Sequence, residues 1–396
     1  MSGDGPAWDA FVAASPQATY LQATAWARVK AANGWSAEHI ETAPGVEPRL
    51  GAQVLLRRPG PLPSLIPWAF AYAPRGPIAA AWSDPVATVQ AWTAAARDHR
   101  WESRAALLRI DPEIERDGPL DHEGAVRAAL AAAGWRSAPE VQPTTTRVVD
   151  LRPDEATLWS DLRKKWRQYV NRARSAGVSI VDAEADRLGD FHRIMAETSR
   201  RTGTLIRTEA AYRDIFEAFR PGGDARLLFA EAPDGTAQAA LLLVRSGPRV
   251  VEPYGGMTAA GAESRANYLL KWEAIRSSRD AGATSYDMWG LVHPGIRQFK
   301  AGFGGREITT IGAWELPLNS MGAALYRAGE SIVGRTARRG GLADDSAGVT
   351  QTDDAQTGDA PTGAAQTGDA PPAGGPSGPG EPEPSSREPA APGEGR

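Results

Sequence analysis

Cysteine is absent from this chain of 396 residues, which excludes a disulfide framework, a thiolate nucleophile and a zinc site built on thiolates. No stretch of about 18 apolar residues occurs, so we expect no membrane-spanning segment. The first residues lack the basic and apolar pattern of a secretory signal peptide. Together these absences predict a cytoplasmic protein.

Histidine is scarce too, and none of the five histidines lies at ligand spacing from another histidine or from a carboxylate cluster. The Gly-x-Ser-x-Gly elbow of serine hydrolases and the P-loop of nucleotide-hydrolysing enzymes are also missing. We therefore expect no metal and no cofactor. An enzyme with this sequence would take a substrate that is already activated, and would contribute positioning and charge stabilisation.

Large apolar residues nearly disappear in the last part of the chain, residues 341–396, which is rich in Ala, Gly, Pro, Thr and Asp. Such a segment buries too little apolar surface to offset the entropy of ordering, so we predict a disordered tail. The tail carries ten acidic and two basic residues, which leaves a net charge of +4 on residues 1–340. This mildly basic part is compatible with a polyanionic partner.

Residues 1–340 contain two similar series of predicted strands and helices. The first has strands at 50–56, 68–72 and 105–110 and helices at 85–99 and 123–133. The second has strands at 226–230, 239–244, 249–254 and 285–289 and a helix at 263–280. Each series places an aromatic residue and glycine before its first helix. The pattern predicts an α+β fold made by tandem duplication, with domains at residues 1–150 and 151–340.

A basic helix is predicted between the two series, over residues 162–174. Its apolar residues lie on one stripe, at Leu162, Trp166, Val170 and Ala173. Its cations are Arg163, Lys164, Lys165, Arg167, Arg172 and Arg174. Such a charge run is typical of a solvated helix face. It is equally typical of a surface that binds RNA or an anionic headgroup, and both interpretations stay open.

One lysine, Lys300, lies in the glycine-rich run of residues 298–305, after the strand predicted at 285–289. Glycine lets the backbone approach a ligand closely, and a lysine there is a localised positive charge. Two interpretations are possible, a tight turn with an exposed lysine or a site for an anionic or strongly polar group.

Four segments resemble the Fem aminoacyltransferases (FemA, FemB and FemX), which add amino acids from aminoacyl-tRNA to the peptide stem of peptidoglycan precursors. They are Gln22-x-x-x-Trp26-x-x-x-Lys30, the basic helix with residues 176–178, residues 254–256 with the following helix, and residues 299–305. The last is the most specific. The resemblance covers roughly residues 8–335, and the tail has no counterpart.

The resemblance implies two tandem acyltransferase-like (GNAT-type) domains and a role in forming the interpeptide bridges of the cell wall. The donor would be aminoacyl-tRNA, and the acceptor a precursor such as UDP-MurNAc-pentapeptide or lipid II. The region 180–225 is too short for the helical hairpin of FemA, so the chain is similar to the compact FemX type. We expect a monomer that contacts the inner membrane face peripherally if its acceptor is lipid-linked.

The resemblance also assigns roles to single residues. The residues implied in catalysis are Lys300, Phe299 and Asp111. Those implied in binding the precursor are Lys30, Arg207, Tyr212 and Tyr254. The basic helix, through Arg163, Lys164, Lys165 and Arg167, would bind tRNA.

An aminoacyl ester is activated, so its transfer to an amine needs no ATP. Lys300 would stabilise the negative charge that develops on the carbonyl oxygen, or hold a phosphate or carboxylate of the precursor. Either Asp111 or a group on the substrate would remove the proton of the amine. We favour the substrate, because no residue in the sequence is marked as a tuned base.

Three alternatives remain. The first is an acyl-CoA-dependent N-acyltransferase on the same fold, although residues 298–304 have one residue too many for its pyrophosphate-binding motif. The second is a non-catalytic protein that keeps ligand recognition alone. The third is an aminoacyl-tRNA-dependent transferase whose acceptor is a secondary metabolite or a protein.

Overall fold

The computed structural model describes residues 5–340 apart from 44, 48, 59–66, 81, 83, 102–103 and 292, with side chains as far as Glu330. The predicted tail, residues 341–396, lies outside the described residues. Among the described helices, none is long and apolar enough to cross a bilayer.

The fold contains two mixed sheets, each of seven described strands. The strands in chain order are β1 (Ser36–Glu41), β2 (Leu50–Arg57), β3 (Ala69–Ala73), β4 (Ile78–Ala79), β5 (Ala105–Ile110), β6 (Arg136–Ser137), β7 (Thr145–Asp150), β8 (Ser179–Ala183), β9 (Ala225–Glu231), β10 (Ala237–Ser246), β11 (Arg249–Met257), β12 (Ser285–Gly290), β13 (Arg306–Thr309) and β14 (Trp314–Pro317). The first sheet has the order β1-β2-β3-β5-β14-β6, with β4 paired to β2, and the second has the order β13-β7-β12-β11-β10-β9-β8.

Helices cover both sheets. They are α1 (Gly5–Ala14), α2 (Thr24–Ala31), α3 (Pro85–Asp98), α4 (Ala125–Ala132), α5 (Glu155–Asp161), α6 (Lys164–Ser175), α7 (Leu188–Thr202), α8 (Glu209–Phe219), α9 (Ala259–Ser264), α10 (Ala266–Asp280), α11 (Pro294–Ala301) and α12 (Ser320–Gly340). N-cap side chains mark where several helices begin. At the start of α3, the Asp84 carboxylate accepts the N–H groups of Val86 and Ala87.

The two predicted series fold with the same topology. In the first sheet β1, β2 and β3 are antiparallel neighbours, and β5 returns parallel to β3 after α3. In the second sheet β9, β10 and β11 are antiparallel neighbours, and β12 returns parallel to β11 after α10. The predicted α+β fold with two repeated units is therefore confirmed.

Each sheet takes a strand from beyond the predicted domain boundary at residue 150. The late strand β14 pairs with β5 and β6 in the first sheet. The early strand β7 pairs with β12 and β13 in the second sheet. The division into residues 1–150 and 151–340 stays a prediction, and the chain itself crosses between the two halves more than once.

Two predicted elements differ from the structure. The helix expected over 263–280 is interrupted at Arg265, whose φ of +66° separates α9 from α10. The run of residues 298–305 is not simply a glycine loop, because its first residues complete α11. Apolar periodicity cannot reveal a single residue in the left-handed region, and the glycines at 302, 304 and 305 masked the short helix before them.

One hydrophobic core spans both halves. Trp26 and Val29 of α2 pack in the same buried cluster as Tyr212 and Ile215 of α8. The opposite face of the second sheet has its own core, in which α6 contributes Trp166. The candidate site lies along the first of these contacts, where α2 meets α8.

Candidate active site

A pocket of about 370 Å³ lies between α2, β3 and the segment that leads into α8. Three of its lining side chains are cations, Lys30, Arg57 and Arg207, and no carboxylate lines it in the described part of the chain. Aromatic residues, including Trp35 and Phe70, form much of the remaining wall. The pocket therefore suits an anionic ligand with an apolar or sugar-like portion.

The predicted opening motif builds one wall of this pocket. Gln22 is fully buried, and its side-chain amide donates to the carbonyl of Pro74 at 2.8 Å while its Oε1 accepts the N–H of Gln53 at 2.7 Å. One turn later Trp26 is buried, and the Lys30 ammonium lies 4.8 Å from its ring centroid. The spacing of four residues thus anchors α2 and directs Lys30 into the pocket.

The two predicted tyrosines support Arg207 from behind. The guanidinium Nε of Arg207 donates to the hydroxyl of Tyr254 at 2.8 Å, and its backbone N–H donates to the hydroxyl of Tyr212 at 3.3 Å. Both tyrosines are buried, and their rings contact each other edge to face at 5.1 Å. Arg207 lines the pocket, whereas the tyrosines hold it in place.

Asp111 lies one layer behind the pocket wall. Tyr72, which lines the pocket, donates its hydroxyl to Asp111 Oδ2 at 2.8 Å, and the Arg75 backbone N–H donates to Oδ1 at 2.6 Å. Burial raises the pKa of the Asp111 carboxyl to about 6, against the opposing charge of Arg75. Both carboxylate oxygens thus have partners, and Asp111 reaches the pocket through Tyr72.

Lys300 is almost completely buried, with 2% of its surface exposed. Its ammonium donates to the carbonyls of Met288 at 2.6 Å and Gly290 at 2.9 Å. β11 and β12 pair over residues 249–251 and 285–287, and both strands continue past this segment. The lysine therefore holds the final carbonyls of β12, in a region where β12 no longer pairs with β11.

Buried charges surround this lysine. Burial, followed by the positive charge of Lys271, lowers the pKa of Lys300 to about 7, while Glu252 and Asp287 oppose the shift. Glu252 forms an ion pair with Lys271 and accepts the Tyr286 hydroxyl at 2.6 Å. A lysine with this pKa exists in both protonation states near neutral pH, which is the property expected of a reacting group.

Phe299 connects Lys300 to the basic helix. Its backbone carbonyl accepts the indole N–H of Trp166, in α6, at 3.0 Å. Three positions later, the carbonyl of Gly302 accepts the backbone N–H of Arg163 at 2.9 Å. The cationic end of α6 therefore adjoins α11, although Trp166 and Phe299 are 133 positions apart in sequence.

The basic helix divides into exposed and engaged cations. Arg163, Lys164 and Lys165 are exposed. Arg167 instead donates to the carbonyls of Ser160 and Leu162 at the end of α5, and so has a structural contact of its own. We retain the first three as candidate RNA contacts, and the role predicted for Arg167 is the least supported of the four.

Arg147 extends this basic surface and was not predicted from the sequence. Its guanidinium donates to the carbonyls of Gly304 at 3.0 Å and Gly305 at 2.8 Å. Burial lowers the pKa of Arg147; Glu307 opposes this shift, and the positive charges of Arg163 and Arg297 add to it. A concentration of arginine beside residues 302–305 favours an anionic partner there.

Tyr72, Arg57 and Gln142 of the pocket were missed as well. The sequence could have indicated Tyr72, because it occupies the same place in the first series of strands and helices as Tyr254 does in the second. Arg57 ends β2 and Gln142 lies in an irregular segment, so neither belongs to a recognisable motif. The described residues contain no group of His, Asp and Glu that could hold a metal ion.

Similarity to known proteins agrees with this geometry. The model of the FemAB family matches residues 6–234 and 230–330. A lipid II:glycine glycyltransferase of Staphylococcus saprophyticus is 24% identical over 398 residues, covering 82% of this chain and 94% of that protein. A lipid II:glycine glycyltransferase of Staphylococcus aureus (strain MRSA252) is 27% identical over 223 residues, covering 55% of this chain and 52% of that protein.

Among solved structures, the crystal structure of FemX matches with a TM-score of 0.73 at 22% identity, over 83% of this chain and 98% of FemX. This likeness shows that the two proteins share a fold. The family model extends over both sheets and nearly the whole described chain, in agreement with the four motifs. The chain belongs to the FemAB family.

Proposed function

We propose that the protein transfers an amino acid from aminoacyl-tRNA to an amine of the peptide stem of a peptidoglycan precursor, and so forms the interpeptide bridge of the cell wall. The observation that carries the proposal is the pocket in which Lys30, Arg57 and Arg207 converge beside Tyr72 and Asp111. Three cations, with no carboxylate among the described lining residues, fit the diphosphate or carboxylate of such a precursor.

The relatives in both staphylococci are named for lipid II and glycine. These names make a lipid-linked precursor the first acceptor to test and glycine the first amino acid. We infer that a lipid-linked acceptor would be met at the inner membrane face, by a protein that binds there peripherally.

The donor would bind on the other side of β12. The exposed cations Arg163, Lys164 and Lys165 lie at the start of α6. Arg163 and Arg147 bond to Gly302 and Gly304, just after α11, which carries Lys300. Phosphate contacts on such a surface would hold the tRNA end, and binding would weaken as salt rises.

In the reaction the amine nitrogen forms an amide bond to the aminoacyl carbonyl carbon, and the ester C–O bond breaks. The proton lost by the amine ends on the ribose oxygen that leaves. Lys300 would stabilise the oxyanion that forms between these steps, and Asp111 would keep Tyr72 oriented at the pocket wall. A group on the substrate remains our choice for the first proton transfer.

An acyl-CoA-dependent reaction has less support. Binding of a pyrophosphate by backbone amides needs a glycine-rich turn at the start of a helix. Residues 298–304 instead form the end of α11 and the turn after it. The end of a helix offers carbonyls in place of the free backbone N–H groups that bind a pyrophosphate at a helix start.

The test is transfer of a radiolabelled amino acid from charged tRNA by the full-length protein, with lipid-linked and nucleotide-linked precursors offered separately. Lys30→Met and Arg207→Met should each reduce transfer by about 10-fold or more, because a charged hydrogen bond contributes about 1.5–3 kcal/mol. Arg49→Met, which removes an exposed cation remote from the pocket, is the matched control. Acetylation with acetyl-CoA and no transfer from tRNA would overturn the proposal.

A further inference from the structure

A row of charges with alternating sign runs from the first half of the molecule to the second; Asp111, Arg75 and Asp287 are buried, and Glu113 and Arg249 are 13% and 14% exposed. Its members, in order of contact, are Asp111, Arg75, Glu113, Arg249 and Asp287. One end lies behind the pocket and the other lies at β12, beside the carbonyls that hold Lys300. The row therefore joins the two parts of the candidate site.

The first end fixes the pocket wall. Asp111 accepts the Tyr72 hydroxyl and the backbone N–H of Arg75. The Arg75 guanidinium donates to the carbonyl of Pro143 at 2.6 Å, and its Nε lies 3.4 Å from Glu113 Oε1. Arg75 thus connects Glu113 to Asp111, through the ion pair of its side chain on one side and its backbone N–H on the other.

The crossing from one half to the other takes place at Glu113 and Arg249. Glu113 follows β5 of the first sheet, and Arg249 begins β11 of the second. The two ends of the Arg249 guanidinium bind different carboxylates, Glu113 through Nη1 and Asp287 through Nη2. A guanidinium is rigid and planar, so it transmits the position of one carboxylate to the other.

The second end fixes the main chain that holds Lys300. Asp287 is fully buried, and its Oδ1 accepts the Thr146 hydroxyl and the backbone N–H of Trp289, the latter at 2.7 Å. Trp289 has a φ of +61°, which a non-glycine residue adopts only under constraint. This constrained turn aims the carbonyls of Met288 and Gly290 at Lys300.

Burying charges in a row is costly, because each ion loses its hydration. Apolar residues of similar volume would often stabilise a fold as well or better, so the row is weak evidence of a purely structural purpose. What apolar packing lacks is the directional bonding that sets the orientation of Tyr72 on one side and of the β12 carbonyls on the other.

We propose that Glu113 and Arg249 are positioning residues that keep the acceptor pocket and Lys300 in register for the transfer step. Neither residue lines the pocket. This inference rests on the proposed function, since it assumes that the pocket takes the acceptor and that Lys300 acts on the donor. A misplacement of about 1 Å between reacting groups lowers a rate by about 100-fold.

The test compares Glu113→Gln with Glu330→Gln in the full-length protein. Gln at position 113 keeps the size of the side chain and leaves equal numbers of positive and negative charges in the row, so we expect it to fold. Glu330 is the control, because it pairs at 2.9 Å with the buried Arg109 of β5, away from the row of charges. Thermal melting of both variants shows whether they are folded.

We expect Glu113→Gln to lower the single-turnover transfer rate by about 10-fold or more while the Kd of each substrate changes by less than about 2-fold. Glu330→Gln should transfer at the wild-type rate. Arg249→Lys, which keeps the charge but not the planar fork, should also lower the rate with both Kd values retained. A wild-type rate in Glu113→Gln, or equal losses in rate and in precursor affinity, would overturn the proposal.

Hydrogen exchange supplies a readout apart from activity. Binding of the precursor to wild-type protein should slow exchange of the amides at residues 288–300, and this protection should be absent from Glu113→Gln and present in Glu330→Gln. Equal protection in all three proteins contradicts the coupling. If wild-type protein transfers nothing and binds no precursor, the proposed function fails instead, so the two failures are distinguishable.

Discussion

The hydroxyl of Tyr254 accepts a hydrogen bond from Nε of Arg207 at 2.8 Å, although the two residues are 47 positions apart. This bond fixes the orientation of Arg207, which lines the pocket, whereas Tyr254 does not line it. Tyr254→Phe removes the bond and keeps the ring contact with Tyr212. We expect the KM for the precursor to rise by about 10-fold with kcat nearly unchanged, because Arg207 loses orientation and keeps its charge.

Steady-state kinetics with varied precursor would measure this effect. Tyr286→Phe is the control for the precursor KM alone, since it removes a buried hydroxyl bonded to Glu252 away from the pocket. An unchanged KM in Tyr254→Phe would mean that Arg207 does not need this support.

The depressed pKa of Lys300, about 7, predicts a pH dependence of transfer. If the ammonium stabilises the oxyanion, kcat/KM should fall as the pH rises through about 7, since the charged form is lost. Lys300→Met should lower transfer by about 100-fold or more, and its residual activity should lack this falling limb. If kcat/KM still falls with rising pH in Lys300→Met, the fall comes from the titration of another group.

Stability gives an independent check on the same pKa. Between pH 7 and the ordinary value of 10.5, unfolded chains bind a proton at Lys300 that folded chains do not. Lys300 should therefore increase the free energy of unfolding as the pH rises through that window, and this increase should disappear as the pH falls to 7. Denaturant titrations should show a smaller rise for Lys300→Met than for wild type.

The exposed cations of α6 predict a salt-dependent loss of tRNA binding. Reversing Arg163, Lys164 and Lys165 to Glu should weaken binding strongly at low salt and less at high salt. The slope of log affinity against log salt should fall by about 2–3, because each phosphate contact contributes about 0.7–0.9. Reversal of Arg97, Arg100 and Arg104, exposed in the first half, is the control. Equal effects of both triple variants would mean that only net charge matters.

Gly302 should tolerate no side chain. A Cβ there would overlap the indole of Trp166, which is buried and bonded to the Phe299 carbonyl. We expect Gly302→Ala to lower the free energy of unfolding by about 1–3 kcal/mol, the usual cost of overpacking. Gly329→Ala, which meets nothing within 4 Å in α12, should be neutral or stabilising. Urea denaturation of both variants checks the contrast.

Sequence patterns predicted β2, β3 and β5 of the first series and β9 to β12 of the second, because their apolar runs are long. They missed β1, in which only Ile40 is fully buried. They could not predict β14, which is four residues long and pairs with β5 from more than 200 positions away. Such a pairing depends on tertiary packing, and no local preference records it. The positive φ of Trp289 is invisible for the same reason.

The candidate site was predictable where a motif places its residues at fixed spacing, as at Gln22, Trp26 and Lys30. The partners that orient these groups were not. Glu113 and Arg249 belong to no motif in the sequence, and their pairing depends on the contact between the two sheets. Arg167 shows the converse, because a cation in a basic run makes bonds to main-chain carbonyls.

The return of β14 to the first sheet has a consequence for synthesis on the ribosome. Residues 1–150 leave the exit tunnel long before β14, so the edge of β5 that β14 covers stays open while the second sheet is being made. An open strand edge invites pairing with another chain. The nascent first half thus depends on the last described strand to close it, and a gene cut at residue 150 would produce a fragment with that edge permanently bare.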